Sequence, residues 1–310
     1  MAVERASFRA VHKPWGSADL RPWSKFSPDG DPVGELWFQR AGTDAPDPSL
    51  VLKLLFTKQP LSIQVHPDDE FARSVGLAHG KTEAWYVLAA EPGAQIAVGL
   101  QRQLTTSQLR SAIEDGSISG LIQWRGVVTD DVILVPSGTI HAIGAGLVIA
   151  EIQQRSDATF RLFDYGRQRE IQLDNAVAAA SAGPAAPQAA PSPFTDGRSL
   201  LVVDSHFVLE RFDLPPRSSW SFDAERETWL FVVSGSARIG SFDMALAGVA
   251  FVEDEQVRIE VGQNGMKALV AYPGPAVATD LLRSLYSPTA HPAFGPPQRP
   301  AIQPSTTPAL

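Results

Sequence analysis

Short apolar runs recur along the chain, separated by turn residues roughly every 8 to 12 positions, the rhythm of antiparallel strands in a sandwich or barrel. Positions 51–56 form a compact apolar run, and LSIQVH at 61–66 alternates apolar with polar side chains. EAWYVLA (83–89), AQIAVGL (94–100), DVILVP (131–136) and LVIAEIQ (147–153) continue the series. Beyond position 198 the runs SLLVVD, FVLERFDL, TWLFVVSG, SARIG, GVAFVED, VRIEVG and ALVAY extend it. A helix is predicted over 106–115, where Thr105 can cap, Gln108 completes a capping box and Gly116 provides the stop. A second helical stretch is predicted over 68–77. The expected fold class is all-β dominated, two β-rich halves with a small number of inserted helices.

Composition shifts mark the boundaries. Residues 181–198 are rich in Ala and Pro and lack hydrophobic periodicity, which reads as a linker. It separates an N-terminal domain (1–180, with a helical insertion at about 105–116) from a C-terminal domain (199–286). Positions 287–310 read as a Pro-rich tail with no core of its own.

The 310 residues include no cysteine and carry a formal net charge of −8. Disulfides and thiolate metal sites are therefore excluded, and neither nucleic acid nor an anionic membrane is an expected partner. No apolar run reaches the roughly 18 residues of a membrane span, and the first residues lack the apolar core of a signal peptide. A cytoplasmic protein, monomeric or weakly dimeric, is expected.

Any transition-metal site must use His, Asp, Glu or amide ligands. Gln64 and His66 are two apart, so both side chains leave one face of a strand. Lys81 and Glu83 have the same spacing, and His141 follows the turn Pro136-Ser137-Gly138 at the start of a third strand. If these strands share one barrel, two imidazoles, one carboxylate and one amide oxygen converge. Such N and O ligands suit zinc with a position left open. A further cluster, EIQQRSDATFRLFDYGR (151–167), brings Glu151, Asp157 and Arg161 together. As a solvated loop these residues would form surface ion pairs of little consequence. Glu151, however, ends an apolar strand that starts just after His141, so its carboxylate faces either a partner cation or a site. Gly80-Lys81-Thr82 mimics the end of a nucleotide-binding loop, but position 75 is Val where that motif needs Gly.

P-x-G-x-x-H at 136–141 resembles the second signature of the cupin superfamily. Together, GELWF, LSIQVHPDD, GKTEAWYVL, PSGTIHAIGAG and EIQQRSDATFRLFDYGR resemble type I mannose-6-phosphate isomerases, in order and over about Trp15 to Arg167. The resemblance implies two cupin-type jelly-roll β-barrels, the second without metal ligands. It also implies one zinc ion per chain, held by Gln64, His66, Glu83 and His141. Lys81, Glu151, Asp157 and Arg161 are then the expected catalytic residues, and Lys81, Arg161 and Ser62 the expected substrate-binding ones. The implied reaction interconverts mannose 6-phosphate and fructose 6-phosphate through an enediol, with the proton-transferring base left open among Asp157, Glu151 and Lys81. Isomerisation of another phosphorylated aldose, or sugar-phosphate binding without turnover, are the alternatives. Phe160, Tyr165 and Asp130 depart from the residues common in that family, and none is an expected ligand.

Overall fold

The computed structural model describes residues 3–42 and 46–285; the expected tail at 287–310 lies outside them. In chain order the first half contains strands β1 (Val3–Arg5), β2 (Ser7–Ser17), β3 (Val33–Gln39), β4 (Leu50–Thr57) and β5 (Ile63–Val65). There follow β6 (Glu83–Ala90), β7 (Gln95–Leu100), β8 (Ile122–Gly126), β9 (Val132–Val135), β10 (His141–Ile143), β11 (Leu147–Gln154) and β12 (Phe160–Phe163). Three short helices are α1 (Asp69–Ser74), α2 (Thr106–Glu114) and α3 (Leu173–Ala179). The all-β expectation holds.

Two antiparallel sheets make the first half, one in the order β2-β3-β4-β11-β6-β9 and the other β12-β5-β10-β7-β8. Between them lies an apolar layer that includes Leu55, Trp85, Val87, Ile96, Val135 and Ile149. The outer face of the five-stranded sheet is covered by α2 and α3, whose Leu109, Ala112, Ile113, Ala176 and Val177 pack on Ile63 and Val65. Helix α2 begins where the sequence places it: Thr105 accepts from the Gln108 backbone, and the Gln108 side chain accepts from the Thr105 N–H. Helix α3 has no counterpart in the sequence reading.

All eight residues of β4 are buried, because this sheet is covered on both faces. Leu52, Leu54 and Phe56 leave the outer face and pack against Leu209, Trp229 and Phe231 of the second half. Each such side chain contributes roughly 1.5–3 kcal/mol by burial, so this seam binds the two halves together. The second half is a ten-stranded antiparallel sheet wrapped around its own core of Phe212, Phe222, Leu230, Val252, Ile259 and Tyr272. That sheet includes β1, which pairs with Val249–Val252, so the start of the chain crosses into the second half.

Residues 181–198 are tied down along much of their length. Ser181 N–H donates to Gly138 O, and Leu104 and Leu100 N–H donate to Ala182 and Gly183 carbonyls. Leu134 N–H donates to the Gln188 side chain, and Ser192–Thr195 already pairs with Arg198–Val203 of the second sheet. Hydrogen bonds, which carry no hydrophobic signature, hold this strap against both halves.

Candidate active site

The strands β5, β10 and β12 put Gln64 opposite His141 on one side and opposite Arg161 on the other. Directly paired residues share a face of a sheet, so these three project together into the space between the sheets. The facing sheet aligns Trp37, Lys53, Glu151 and Trp85 in one row, with Glu83 two residues from Trp85 on the same face.

Several local devices set this register. Asp68 caps α1, and Asp69 Oδ1 accepts from the Gly80 N–H at 2.7 Å, which fixes the loop leading to Lys81. A Cβ on Gly80 would sit 2.4 Å from the Asp68 carbonyl carbon, so the glycine of the nucleotide-loop mimic is required for close packing. Gly138 adopts φ +81° and donates its N–H to His66 O at 2.7 Å, which ties the turn before His141 to the end of β5. Asp130 also adopts a positive φ of +74° and is held there by Tyr86 O–H and Lys267.

His66, Glu83 and His141 are all buried, and one ligand atom from each lies within 4.8 Å of the others. His66 Nδ1 is 2.7 Å from Ala158 O and His141 Nδ1 is 2.8 Å from Thr139 O. Each imidazole therefore donates from Nδ1 and turns its Nε2 lone pair toward Glu83, at 3.4 Å and 3.5 Å. Second-side hydrogen bonds of this kind orient metal-binding imidazoles. Burial, aided by Lys81 and opposed by Glu83, lowers the His66 pKa to about 4, and burial lowers His141 as well. Both rings are thus neutral and able to ligate. Burial acts to raise the Glu83 carboxyl, but Lys81 and the two imidazoles override it and hold the group well below its ordinary value.

Two features bear on how a cation would fit. Lys81 Nζ lies 2.6 Å from Glu83 Oε2 and 3.3 Å from His66 Nε2, so its ammonium occupies the middle of the cluster. Glu83 Oε2 nonetheless has no hydrogen bond of good geometry. Gln64 presents Nε2, not its oxygen, to His141 Nε2 at 3.2 Å, while Ser62 donates to Gln64 Oε1. The donor set of two imidazoles and a carboxylate fits a divalent ion. Ligation by Gln64 requires its carboxamide to turn over, and Lys81 must yield its place.

Gln64 and Lys81 also line a polar cavity of about 130 Å³. Ser62, Glu151, Asp157 and Arg161 line it too, so every expected catalytic and substrate-binding residue meets there. Asp157 is exposed and Arg161 half-buried, whereas Lys81 and Glu151 are buried. Sequence reasoning missed Lys13, Glu35, Lys53 and Arg169, which share the cavity wall. Lys13, Glu35, Lys53, Glu151, Lys81 and Glu83 form a ladder of alternating charge with successive separations of 3.5, 4.0, 3.4, 3.6 and 2.6 Å. Trp85 N–H donates to Glu151 Oε2 and Trp37 N–H to Glu35 Oε2. Burial works against the Lys81 ammonium, yet Glu151, Glu83 and Glu35 raise its pKa above the ordinary value. Each buried ion costs several kcal/mol in desolvation, and such ladders are poor devices for stability alone. A signal for Lys53 was visible: it is the one charged residue in the apolar run LVLKLLF.

No family model matches the sequence. Among curated proteins, the chain is 40% identical over 135 residues to a mannose-6-phosphate isomerase of Bacillus subtilis, covering 41% of this chain and 42% of that protein. It is 39% identical over 134 residues to the mannose-6-phosphate isomerase of Streptococcus mutans, again 41% of this chain and 42% of the relative. The matched stretch thus spans about two fifths of the length of these relatives. Among solved structures, mannose 6-phosphate isomerase from Bacillus subtilis superposes with a TM-score of 0.75 at 24% identity, over 88% of this chain and 100% of that one. A variant of phosphomannose isomerase from Salmonella typhimurium gives 0.69 at 15% identity, over 88% and 100%. By sequence over the matched stretch this chain is similar to mannose-6-phosphate isomerases, and over 88% of its length it shares the fold of the solved phosphomannose isomerases.

Proposed function

We propose that this chain is a metal-dependent aldose–ketose isomerase that interconverts mannose 6-phosphate and fructose 6-phosphate. The observation that carries this reading is the buried His66–Glu83–His141 cluster, joined through Gln64 and Lys81 to a cavity lined by both cations and carboxylates. The similarity to mannose-6-phosphate isomerases supports the choice of substrate.

His66, Glu83 and His141 would hold the ion, with Gln64 as fourth ligand, and zinc is the expected metal for such N and O donors. A bound divalent ion supplies Lewis acidity at the substrate's carbonyl oxygen. The remaining work belongs to the chain. Moving a proton between C1 and C2 builds negative charge on that oxygen, and Arg161, in register beside Gln64, would stabilise it. In the metal-free chain Glu151, Glu83 and Glu35 hold Lys81 protonated. The proton transfer would fall to a group of the cavity wall, Glu151, Asp157 or Lys81.

The test is a coupled assay of purified protein with mannose 6-phosphate, run with and without a chelator. Formation of fructose 6-phosphate, abolished on chelation, is expected. Turnover of another aldose phosphate but not mannose 6-phosphate would transfer the activity to that substrate. Binding without turnover of any aldose phosphate would make the protein a sugar-phosphate binder.

A further inference from the structure

Lys81 sits on a segment that regular structure does not hold. Residues 79–82 belong to no strand or helix, yet they place the Lys81 ammonium 2.6 Å from Glu83 and lead into β6, which carries Glu83 itself. Their N–H groups are taken up one by one. Gly80 donates to Asp69 Oδ1 at 2.7 Å, Lys81 to Pro67 O at 2.9 Å and Thr82 to Gln154 Oε1 at 2.8 Å. Asp69 acts on two of the three, because the same Oδ1 accepts from Gln154 Nε2 at 3.2 Å and so turns the Gln154 oxygen toward Thr82. Thr82 closes the arrangement: its carbonyl accepts from the Gln154 N–H at 3.1 Å, and its Oγ1 accepts from the Ser137 N–H at 3.2 Å, in the turn before His141. One carboxylate at the start of α1 thus joins the approaches to Lys81, Glu83 and His141.

The other oxygen of that carboxylate faces the second half, where Asp69 Oδ2 lies 3.8 Å from His206 Nε2. His206 is firmly mounted. Its N–H and its Nδ1 each lie 2.9 Å from Asp204 Oδ1, and its carbonyl accepts from the Gly274 N–H at 3.0 Å. The next residue, Phe207, is buried in the seam with Leu52 and Leu54. Burial works against the Asp69 carboxylate, but the Gly80 N–H, Gln154 and His206 outweigh it and hold its pKa below the ordinary value.

We propose that Asp69 is a positioning residue for the site, setting Lys81 and Glu83 through Gly80 and Gln154, and that His206 braces it from the second half. Among the described residues the second half adds none to the metal cluster or the cavity wall, so this contact is its route to the chemistry. The effect on turnover rests on the isomerase reading above; the effect on the loop and on metal binding does not.

The experiment uses the full chain as wild type, Asp69→Ala, Asp69→Asn, His206→Gln and the double variant of Asp69→Ala with His206→Gln. It reads backbone hydrogen exchange over Gly80–Thr82 by mass spectrometry, zinc affinity against a competing chelator, kcat on mannose 6-phosphate, and Tm. Groups that orient metal ligands from behind are worth about 10- to 100-fold in metal affinity or activity. Asp69→Ala should lose that much in zinc affinity and in kcat, and exchange over Gly80–Thr82 should quicken by about 10-fold or more. Asp69→Asn keeps an acceptor oxygen for Gly80 and Gln154 and should recover most of each loss. His206→Gln should lower zinc affinity and kcat about two- to fivefold, the scale of a partly exposed ion pair, and should add nothing beside Asp69→Ala. A lower Tm in Asp69→Ala with wild-type zinc affinity and kcat would make Asp69 merely structural and overturn the proposal. Asp69→Asn as impaired as Asp69→Ala would overturn the hydrogen-bonded route to Lys81. An equal effect of His206→Gln in both backgrounds, or none in wild type, would overturn the brace. If Asp69→Ala does not fold, Gln154→Ala decides: unchanged exchange at Thr82 and unchanged zinc affinity there would overturn the proposal. Wild type that binds zinc but does not turn over mannose 6-phosphate would refute the isomerase reading, and exchange and zinc affinity would then decide the role of Asp69.

Discussion

Arg161→Ala separates a catalytic from a structural reading of the cavity. Among the described residues the side chain has no carboxylate within salt-bridge distance, and Asp164 keeps Arg167 and Arg169 when it is gone, so no buried anion is stranded. The mutation also removes a buried N–H that lacks a partner, a defect that typically costs about 1–3 kcal/mol. Against that relief stands the lost packing of its aliphatic stem. The two oppose each other, so stability should change by no more than about 1 kcal/mol, a Tm shift of about 2–4 °C. Catalysis should respond differently. A single preorganised donor at a developing oxyanion is worth roughly 10² to 10³ in rate, and Arg161 sits in register with Gln64 beside the candidate ligands. The loss should appear mainly in kcat, with bound metal unchanged, and Arg161→Lys should recover only part of it. Steady-state kinetics, elemental analysis and a thermal melt on both variants give the answer. A normal kcat in Arg161→Ala would remove this residue from the reaction, and loss of metal and Tm together would make it structural.

Exhaustive chelation should abolish isomerase activity, and about one zinc per chain should restore it, because among the described residues only His66, Glu83 and His141 form a ligand cluster; full turnover by stripped protein would refute this. Lys81→Met leaves Glu83 and Glu151 buried without the ammonium between them. The metal-free variant should therefore lose about 3–5 kcal/mol in chemical denaturation and regain much of it on adding zinc, which takes the place of the ammonium; no recovery with metal would count against the shared position. Acid should destabilise the metal-free protein: the unfolded chain takes up a proton at His66 from its ordinary 6.5 downward, whereas the folded ring resists until about 4. That contribution, about 3 kcal/mol, is complete above pH 6.5 and is lost as pH falls from 6.5 to about 4. Glu83, lowered below its ordinary 4.5, acts with the same sign at lower pH. A flat Tm between pH 7 and 4.5 would contradict the buried neutral imidazole.

The sequence by itself determined what is local. Period-two alternation set which side chains leave a strand together, so Gln64 with His66 and Lys81 with Glu83 were legible before any fold was known. The Thr105 capping box placed α2 for the same reason, since every partner lies within one turn. Local pattern misled where tertiary pairing overrode it. VRIEVG and ALVAY read as two separate runs, yet both lie in one continuous strand, Glu255–Pro273, in which Gly265 takes φ +77° between the strands on either side. Helix α3 fully buries only Ala176 and Val177, too weak a stripe to announce itself. The meeting of Glu83 with the two imidazoles and the buried ladder through Lys53 and Glu35 were decided by the tertiary structure alone. Each joins residues from different strands or sheets. Sequence spacing fixes the face a side chain leaves, but only the packing of one sheet on another decides which faces meet.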